Sequence, residues 1–454
     1  MDINPDIFRN YDIRGIVERD LLPDKVEAIG RAFGTILREN GKKEIFVGRD
    51  ARLSSPSIRD NLIKGLISTG LKIIDLGMVP TPVFYFAVYH KKKDGGVMIT
   101  GSHNPPEYNG FKLMVGEDTL FGEQIKDIYK LIAKDRYISE EGGELSSYDI
   151  IPEYKNYALN DIKIKRKLKV VIDAGNGVGG FVSVPIFKDL GVDVIELFTD
   201  PDGNFPNHHP DPTVPSYMEK LINKVKETNA DFGIGYDGDA DRIGVVDDKG
   251  KLLFGDQILY IMIQDVLKQV PGGKIIADVK ASQTLFDEIK RLGGIPIMWK
   301  TGHSFIKNKI KEEKATLAGE MSGHIFFSHR YFGFDDAIYS SLRFTEIISN
   351  HDKKVSDWVN EMPVVYNTPE IRRESSEENK FKIVEKLKDF FKDKYEIIDI
   401  DGVRVLFPDG WALVRASNTQ PVLVIRYEAK SQDALDKIRD EVERALDETE
   451  KSFN

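Results

Sequence analysis

The sequence predicts an α/β protein with three related domains in tandem, followed by a smaller α+β domain. Two observations support this fold class. Three segments repeat one order of elements: an apolar strand, a polar loop, an amphipathic helix, a glycine and a second strand. After residue 361 the pattern changes to a helix, several short strands and a final charged helix. The 454 residues are enough for three domains of about 150 residues each, or for four smaller ones.

Each repeated segment predicts a βαβ unit, because a strand pattern alternates with a helix pattern over a short stretch. The segments begin near Lys43, Lys167 and Lys274, and their first strands end at Asp50, Asp173 and Asp278. They recur about every hundred residues, which leaves room for further elements and favours three related domains. Because βαβ units are common, a chance likeness stays open on this pattern alone.

The C-terminal region follows a linker near Glu361 that is marked by Pro363 and Pro369. Beyond it the sequence predicts a helix over Lys380–Phe391, short antiparallel strands and a last helix from Ser431. We therefore expect domains at residues 1–150, 151–250, 251–361 and 362–454.

Composition excludes several classes of function. With 41% hydrophobic and 30% charged residues, no apolar run of membrane-spanning length and no signal-peptide pattern at the N-terminus, we expect a cytoplasmic protein without membrane contact. The absence of cysteine excludes disulfides and thiolate-bound metals, which leaves oxygen or imidazole ligands and favours Mg²⁺. The net charge of -10 argues against nucleic-acid binding, whereas anionic substrates remain compatible with local clusters of lysine and arginine.

Ser102 lies in the segment VMITGSHNPPEYNG, just after a β-branched run and among residues that break regular structure. Gly101, Asn104 and the following prolines predict a turn, so an ordinary loop explains the segment as well as an active-site serine does. The segment does not fit a G-x-S-x-G nucleophile elbow, and His103 is adjacent in sequence. Acyl transfer is therefore not favoured.

A glycine-rich segment, VVIDAGNGVGG, places Gly175, Gly177 and Gly180 in the G-x-G-x-x-G spacing, with Glu196 at the end of the next strand. This is the fingerprint of dinucleotide binding. However, Asp173 would face the pyrophosphate, and like charges would oppose binding. We favour a turn that lets helix and strand pack closely, with a nicotinamide-dependent enzyme as the alternative.

The segment DFGIGYDGDADRIGVVD places Asp237, Asp239 and Asp241 at alternate positions between two apolar runs. Alternate residues of an extended segment point the same way, so the three carboxylates can converge on one cation. An EF-hand is rejected because Arg242 stands where that loop needs glycine. Free coordination positions and the adjacent Arg242 are typical of phosphoryl-transfer sites. A solvated turn is the alternative.

Two more polar loops have the composition of binding sites. The glycine-flanked turn AGEMSGHIFF presents alternating polar groups that suit a sugar's hydroxyls: Glu320, Ser322 and His324. The segment VRASNTQP lies between two predicted strands and has the composition of a phosphate cradle: Arg415, Ser417, Asn418 and Thr419. Taken singly, a polar turn and a hairpin loop explain them equally well.

These four loops occur one per domain, and the combination resembles the α-D-phosphohexomutase superfamily, closest to its phosphomannomutase/phosphoglucomutase members. The resemblance runs from FRNYDIRG at Phe8 to the RASNTQP loop. It implies three domains of one α/β fold with mixed sheets, a C-terminal α+β domain and an active site in the central cleft. It also implies an isomerase of carbohydrate metabolism that interconverts hexose 6-phosphate and hexose 1-phosphate, of mannose or glucose.

The resemblance also implies roles for individual residues. Ser102 becomes a phosphoserine whose oxygen joins Asp237, Asp239 and Asp241 as a ligand of Mg²⁺. The implied catalytic residues are Ser102, His103, Lys112 and Arg242, with Lys112 or His103 as the general base. The implied substrate-binding residues are Tyr11, Arg14, Lys280, His303, Glu320, Ser322, Arg415, Ser417, Asn418 and Thr419. Ala240 replaces a glycine that is common in the metal loop of relatives.

In the implied cycle, phospho-Ser102 gives its phosphoryl group to the sugar and recovers one from a bound glucose or mannose 1,6-bisphosphate. The partners expected are therefore sugar phosphates, and the chain is a monomer or a small homo-oligomer. Phosphoglucosamine mutase is the alternative within the family, although it usually carries glutamine where this chain has Met321. A Mg²⁺-dependent sugar phosphatase is the more distant alternative.

Overall fold

The structure is a computed structural model that describes residues 2–417 and 421–453. Its strands form four sheets that follow one another along the chain. Within these two ranges, no helix combines the length and the apolar character needed to span a membrane.

The first domain is built on a seven-stranded mixed sheet. Its strands are β1 (Ile13–Ile16), β2 (Glu44–Arg49), β3 (Lys72–Met78), β4 (Gly95–Ile99), β5 (Tyr108–Val115), β6 (Asp118–Thr119) and β7 (Glu144–Ser147). Its helices are α1 (Val17–Asp20), α2 (Pro23–Glu39), α3 (Ser55–Ile67), α4 (Thr81–Lys91) and α5 (Glu123–Ala133), and α6 (Ile151–Asp161) leads to the next domain. The sheet order is β1-β5-β4-β2-β3-β7, with β6 beside β5.

The second and third domains have smaller sheets. The second contains β8 (Lys169–Asp173), α7 (Gly180–Asp189), β9 (Asp193–Leu197), α8 (Glu219–Thr228), β10 (Phe232–Tyr236), β11 (Ile243–Asp247) and β12 (Leu252–Leu253). The third contains α9 (Gly255–Gln269), β13 (Lys274–Asp278), α10 (Gln283–Arg291), β14 (Ile295–Trp299), α11 (His303–Glu313), β15 (Leu317–Gly319), β16 (Ile325–Phe327), α12 (Ala337–Ser349) and α13 (Val355–Glu361).

One four-strand core recurs in all three α/β domains. The strand orders are β3-β2-β4-β5, β9-β8-β10-β11 and β14-β13-β15-β16. In each core the first three strands are parallel and the fourth is antiparallel to the third. The predicted class, three related α/β domains with mixed sheets, is confirmed. Since the third and fourth strands are joined directly, each domain presents one loop at the carboxyl end of its third strand.

The C-terminal domain is an antiparallel sheet with two helices, as the sequence predicts. Its elements are β17 (Tyr366–Asn367), β18 (Ile371–Glu374), α14 (Lys380–Phe391), β19 (Glu396–Ile398), β20 (Val403–Phe407), β21 (Gly410–Ala416), β22 (Val422–Ala429) and α15 (Gln432–Lys451). Helix α14 has the predicted bounds, and the Ser431 side chain caps α15 by accepting a hydrogen bond from the Ala434 N–H.

This last domain is attached to the loop after β13. Arg404, which is fully buried, donates hydrogen bonds of 2.7 Å and 2.9 Å to the carbonyls of Val279 and Ala281. From the same sheet, Glu428 accepts a hydrogen bond of 2.9 Å from the Ser282 hydroxyl. These contacts lie on both sides of Lys280, so the position of the C-terminal domain is tied to that side chain.

Helix α4 lies at the centre of the molecule. All residues from Thr81 to Tyr89 are buried, which fits a helix that is apolar on every side. The Tyr85 ring lies 5.5 Å from Phe334, and the Phe86 ring lies 5.3 Å from Tyr154. A single apolar cluster joins α4 to the second and third domains. The helix therefore fixes three domains relative to one another, and its N-terminus faces the aspartate loop described next.

Candidate active site

Three of the predicted site loops occupy equivalent positions in the fold. Ser102 lies between β4 and β5, the aspartate triplet between β10 and β11, and Glu320 between β15 and β16. The repeat of the sheet core thus places each loop at the carboxyl end of a third strand. The fourth predicted loop, between β21 and β22, has only Ser417 and Pro421 among the described residues, because Asn418 and Thr419 lie outside them.

Ser102 is held in a left-handed backbone conformation, with φ +47°. A non-glycine residue there is uncommon, and such strain clusters at functional sites. Its hydroxyl is buried, donates a hydrogen bond of 2.9 Å to Asp237 Oδ2, and lies 3.1 Å from His103 Nδ1. The serine of the first domain therefore contacts the aspartate loop of the second.

Arg52 clamps the backbone of the serine loop, a role that the sequence did not reveal. Its guanidinium is fully buried and donates to four carbonyls of the loop, those of Ser102, Asn104, Pro105 and Tyr108, at 2.6–3.0 Å. A Cβ on Gly101 would lie 2.2 Å from the Arg52 side chain, so this contact requires glycine.

Asp50, the acid directly after β2, completes the clamp. It accepts hydrogen bonds from the Gly101 N–H at 3.1 Å and from the Arg52 N–H at 3.0 Å. In the third domain the equivalent Asp278 accepts a hydrogen bond of 3.3 Å from the Met321 N–H, in the Glu320 loop. The acid at the end of the first strand thus supports the site loop in two domains. Polar residues after β2 are the sequence signal that could have indicated this.

The three aspartates are fully buried and lie close enough for one oxygen of each to bind the same ion. Asp239 Oδ1 and Asp241 Oδ1 have no hydrogen-bond partner in the part of the chain that the structure describes. Buried carboxylate oxygens without a donor are costly unless a cation meets them. Hard oxygen ligands in this arrangement fit Mg²⁺.

Burial and neighbouring charges shift the pKa values of the ionisable groups around the triplet in different directions. Burial and the neighbouring Asp241 and Asp239 raise the pKa of Asp237 well above its ordinary range. Lys112 contacts Asp241 and lies 3.0 Å from Asp239. Although burial lowers it, these two carboxylates raise the pKa of Lys112 well above its ordinary value. Burial and the charge of Arg242 lower the pKa of His103 well below its ordinary value.

Two predicted arginines flank the serine. Arg14 donates to the Gly101 carbonyl at 2.5 Å and to Asn104 Oδ1 at 2.6 Å, so it faces the serine loop. Arg242 follows the aspartates and donates from Nε to His324 Nε2 at 3.0 Å. Although burial opposes it, the carboxylates of Asp211 and Asp237 raise the pKa of Arg242, which therefore stays charged.

Several predicted substrate-binding residues contact the turn formed by Thr301 and Gly302. The Tyr11 hydroxyl donates to the Thr301 carbonyl at 3.0 Å, and the Gly302 N–H donates to Glu320 Oε2 at 3.0 Å. The Thr301 N–H donates to Asp401 Oδ2 at 3.1 Å, and Asp401 is the acceptor of the Arg415 Nε–H at 3.1 Å. Side chains from the first, third and fourth domains therefore converge on two residues. Asp401 was not predicted.

The structure also describes the other predicted binding residues. His303 begins α11 directly after Gly302, and burial together with the nearby Lys307 lowers the pKa of His303 well below its ordinary value. Burial raises the pKa of Glu320 to about 7. Lys280 Nζ lies 3.3 Å from Glu370 Oε2 of the C-terminal domain. Ser322 is half-buried in the Glu320 loop, and Ser417 is buried at the end of β21.

The glycine-rich segment packs against the aspartate loop. The Val178 N–H donates to the Gly238 carbonyl at 3.0 Å, and a Cβ on Gly177 would lie only 2.6 Å from that oxygen. Asp173 turns back to accept from the Gly175 N–H at 2.9 Å. Glu196 pairs with Lys188 at the surface. These contacts fit the favoured interpretation, a turn that packs closely, because Gly238 lies directly against Gly177.

The sequence analysis also did not identify two adjacent histidines that follow this segment. His208 Nε2 lies 3.0 Å from Asp173 Oδ1, and His209 Nε2 contacts the His103 carbonyl. The second domain therefore touches the serine loop at a second point. A signal was present in the polar, proline-flanked NHHPDP turn.

Family models cover most of the chain. The models match in four parts, described as phosphoglucomutase/phosphomannomutase alpha/beta/alpha domain I over residues 5–138, domain II over 152–250, domain III over 254–366, and the C-terminal domain over 370–445.

Curated relatives match along almost the whole length. A phosphoglucomutase of Neisseria meningitidis is 46% identical over 450 residues, covering 98% of this chain and 98% of the relative. A phosphomannomutase/phosphoglucomutase of Pseudomonas aeruginosa is 47% identical over 434 residues, covering 95% and 94%. The crystal structure of a phosphoglucomutase/phosphomannomutase family protein from Burkholderia thailandensis superposes with a TM-score of 0.94 at 43% identity, covering 99% and 98%.

Proposed function

This chain belongs to the phosphoglucomutase/phosphomannomutase family, and on that premise we propose how its four loops act on a sugar phosphate. It is a phosphohexomutase, which interconverts hexose 6-phosphate and hexose 1-phosphate by intramolecular phosphoryl transfer. We propose four domains, at residues 1–150, 151–250, 251–361 and 362–454, each contributing one loop to the site.

Ser102 is the phosphoryl carrier in this proposal, and the observation that carries it is the contact between its buried hydroxyl and Asp237 at 2.9 Å. A hydroxyl oxygen of the sugar attacks the phosphorus of phospho-Ser102, the bond from phosphorus to Oγ breaks, and a hexose 1,6-bisphosphate forms. The hydroxyl proton passes to a base. After the bisphosphate turns around, the reverse step returns the other phosphoryl group to Ser102.

Asp237, Asp239 and Asp241, with an oxygen of phospho-Ser102, would hold Mg²⁺. The two unpartnered carboxylate oxygens and the hard donor set fit this ion. When bound, Mg²⁺ neutralises charge on the transferring phosphoryl group. Arg242 and Arg14 add fixed positive charge on the same side of the cleft, where preorganised donors stabilise the transition state.

In this proposal the base that takes the hydroxyl proton is His103 or Lys112, which lie beside the serine and the aspartates. His103 Nδ1 is 3.1 Å from the serine oxygen, whereas Lys112 is held by Asp239 and Asp241. His103→Gln and Lys112→Met separate the two. The variant that lacks the base should be slowed both in transfer from phospho-Ser102 to the sugar and in phosphorylation of Ser102 by glucose 1,6-bisphosphate, because the same group returns the proton in the reverse step.

The far end of the cleft would bind the rest of the substrate. Arg415 and Ser417 are suited to the phosphate that is not transferred, together with Asn418 and Thr419, which lie outside the described residues. Glu320 and Ser322 are suited to the sugar hydroxyls, since a carboxylate accepts hydrogen bonds and a hydroxyl can both donate and accept them. Lys280, His303 and Tyr11 line the region between, around the Thr301 turn.

An assay tests the proposal with mannose 1-phosphate, glucose 1-phosphate and glucosamine 1-phosphate as substrates, Mg²⁺ and a trace of glucose 1,6-bisphosphate. We expect 6-phosphate products from the first two. Turnover of the glucosamine compound alone would select phosphoglucosamine mutase, and steady phosphate release without isomer would select a phosphatase. Ser102→Ala should remove most turnover, and intact mass should detect one phosphoryl group on wild type but none on that variant.

A further inference from the structure

Asp401 connects Arg415 of the C-terminal domain to a turn of the third domain. It lies between β19 and β20, outside the four site loops that the sequence predicts. Asp401 Oδ2 accepts a hydrogen bond of 3.1 Å from Arg415 Nε and another of 3.1 Å from the Thr301 N–H. Arg415 Nη2 lies 3.0 Å from Oδ2 and 3.4 Å from Oδ1 of the same carboxylate. One carboxylate therefore holds a side chain of its own domain and a backbone group of another.

The backbone beside Asp401 is shaped to lie against Arg415. Gly402 has φ +89°, a left-handed conformation that favours glycine. A Cβ on Gly402 would lie only 2.6 Å from Arg415 Cβ, so any other residue here would displace the turn from the arginine. Only 8% of the Arg415 side chain and 15% of the Asp401 side chain are exposed to solvent. A pair of charges buried to this extent needs accompanying hydrogen bonds, and these two residues have them.

The contact with Asp401 fixes the orientation of the guanidinium. Nε and Nη2 form one edge of this planar group, and that edge faces the carboxylate. The remaining N–H donors, on Nη1 and on the outer side of Nη2, form the end of the group. Two such parallel donors match two oxygens of a phosphate. An arginine held in this way loses less side-chain entropy on binding a phosphate than a free arginine does.

The negative charge of Asp401 opposes phosphate binding at Arg415. A carboxylate beside an arginine repels a bound phosphate and cancels part of the attraction of the guanidinium. If charge dominated, replacement of Asp401 by asparagine would strengthen phosphate binding, and if orientation dominated, the same change would weaken it. Because three N–H groups point at this carboxylate and one of them belongs to Thr301, the geometry favours orientation.

We infer that Asp401 is a positioning residue for substrate binding: it orients Arg415 toward the phosphate that is not transferred and fixes that arginine relative to the Thr301 turn. This inference rests on the proposed phosphate-binding role of Arg415. The same turn holds Glu320 through the Gly302 N–H. Asp401 therefore sets the spacing between the phosphate end and the sugar end of the cleft.

A binding measurement tests the sign of the effect. Asp401→Asn keeps the size of the side chain and an acceptor oxygen for the Thr301 N–H, but it removes the charge-assisted contact with Arg415. In the Ser102→Ala background, which prevents turnover, we expect the Kd for glucose 1-phosphate to rise by on the order of 10-fold to 100-fold, as expected for a lost hydrogen bond between charged groups. Titration calorimetry measures this Kd. An unchanged or lower Kd would overturn the inference.

Asp399→Asn is the matched control, because it removes the same charge from an exposed position in the same turn. The Kd of this variant should stay within about 2-fold of the reference, since water and salt screen an exposed charge. An equally large rise in Kd for Asp399→Asn would show that the net charge of the turn decides binding, which contradicts a specific role of Asp401.

Enzyme that retains Ser102 provides a kinetic measurement. Asp401→Asn should raise KM for glucose 1-phosphate and change kcat by less than about 3-fold, because the contact with the untransferred phosphate is the same in the ground state and the transition state. The Kd for glucose 6-phosphate should rise by the same factor as that for glucose 1-phosphate, since each presents its own phosphate to Arg415. A loss in kcat alone, or for one sugar phosphate alone, would argue against the inference.

A double-mutant cycle separates orientation of Arg415 from general damage. In the Arg415→Met background, Asp401→Asn should change the Kd by less than about 3-fold, because the effect acts through the arginine. Ligand-observed NMR measures the weak binding expected there. An equal rise in Kd in both backgrounds would refute the inference. If Arg415→Met itself binds glucose 1-phosphate as the reference does, the proposed role of Arg415 fails and the inference with it, whereas the mutase activity is judged separately by Ser102→Ala.

Discussion

The Thr81 hydroxyl donates a hydrogen bond of 2.5 Å to Asp239 Oδ2, and the Thr81 N–H donates to the Asp239 carbonyl at 3.0 Å. The first residue of the central helix therefore holds both the backbone and the carboxylate of one aspartate. The positive end of the helix dipole meets a negative side chain at this point. Among the residues that the structure describes, Asp239 Oδ1 has no hydrogen-bond partner.

Thr81→Val should weaken Mg²⁺ binding by about 10-fold to 100-fold, since partners that orient a metal ligand have effects of this size. Valine keeps the shape and removes the hydroxyl, and Thr81→Ser is the control that restores it. The metal affinity is measured by calorimetry and by the rise in melting temperature on adding Mg²⁺. Equal affinities in all three proteins would show that the hydroxyl does not orient Asp239.

Arg52→Lys should abolish most phosphorylation of Ser102 while leaving a folded protein. Lysine keeps the charge but cannot donate to four carbonyls at once, so the serine loop loses its fixed conformation. Intact mass after incubation with glucose 1,6-bisphosphate measures the phosphorylated fraction. Arg59→Lys, a change at a partly exposed ion pair on α3, is the control. Normal phosphorylation of Arg52→Lys would be inconsistent with the clamp.

Gly177→Ala should impair the metal loop. The added Cβ would meet the Gly238 carbonyl at 2.6 Å, and overpacking of this kind costs roughly 1–3 kcal/mol. We expect a lower melting temperature, weaker Mg²⁺ binding and reduced mutase activity. Wild type should not change the fluorescence of added NADH. Saturable NADH binding that Gly177→Ala removes would instead support the dinucleotide alternative.

We expect the free energy of unfolding to depend on pH between about 4 and 6 because of Asp336. Burial raises the pKa of Asp336 from 3.8 to about 6, against the hydrogen bonds from Tyr331 and Tyr154 that lower it. The native state then binds the proton more tightly than the unfolded chain. The contribution to stability is complete below pH 3.8 and is lost as the pH rises through 6, on the order of 3 kcal/mol in total.

Asp336→Asn should remove this dependence, because asparagine does not titrate. Urea midpoints of the variant and of wild type are compared from pH 4 to pH 7, with Asp409→Asn, a change in an exposed turn, as the control. Curves of wild type and Asp336→Asn that run parallel over the whole range would contradict the assignment.

The sequence was sufficient for features that are local along the chain. Strand and helix periodicity predicted the three βαβ units and the C-terminal α+β pattern. The spacing of Asp237, Asp239 and Asp241 predicted that they converge, but the expected extended segment is wrong: the Ala240 N–H donates to the Asp237 carbonyl at 3.2 Å and Ala240 has φ +60°, so a turn brings the carboxylates together. Each of these depends on neighbouring residues, whose geometry the backbone imposes directly.

Contacts between distant segments were not predictable in the same way. Arg52 and Ser102 belong to different loops of one domain, and His209 reaches His103 from another domain. Nothing in the periodicity of either segment encodes its partner. The glycine-rich segment shows the same limit, because its spacing is compatible with a nucleotide or with Gly238, and only the tertiary packing distinguishes them.

The burial of α4 has a consequence for biosynthesis. Its apolar surface is covered by Tyr154, Phe332 and Phe334, which leave the ribosome long after the helix does. At a synthesis rate of about 5–20 residues per second, tens of seconds pass between the synthesis of the helix and that of Phe334. A nascent chain that ends before Phe334 lacks these contacts, so we expect α4 to be an aggregation-prone segment until the third domain has been synthesised.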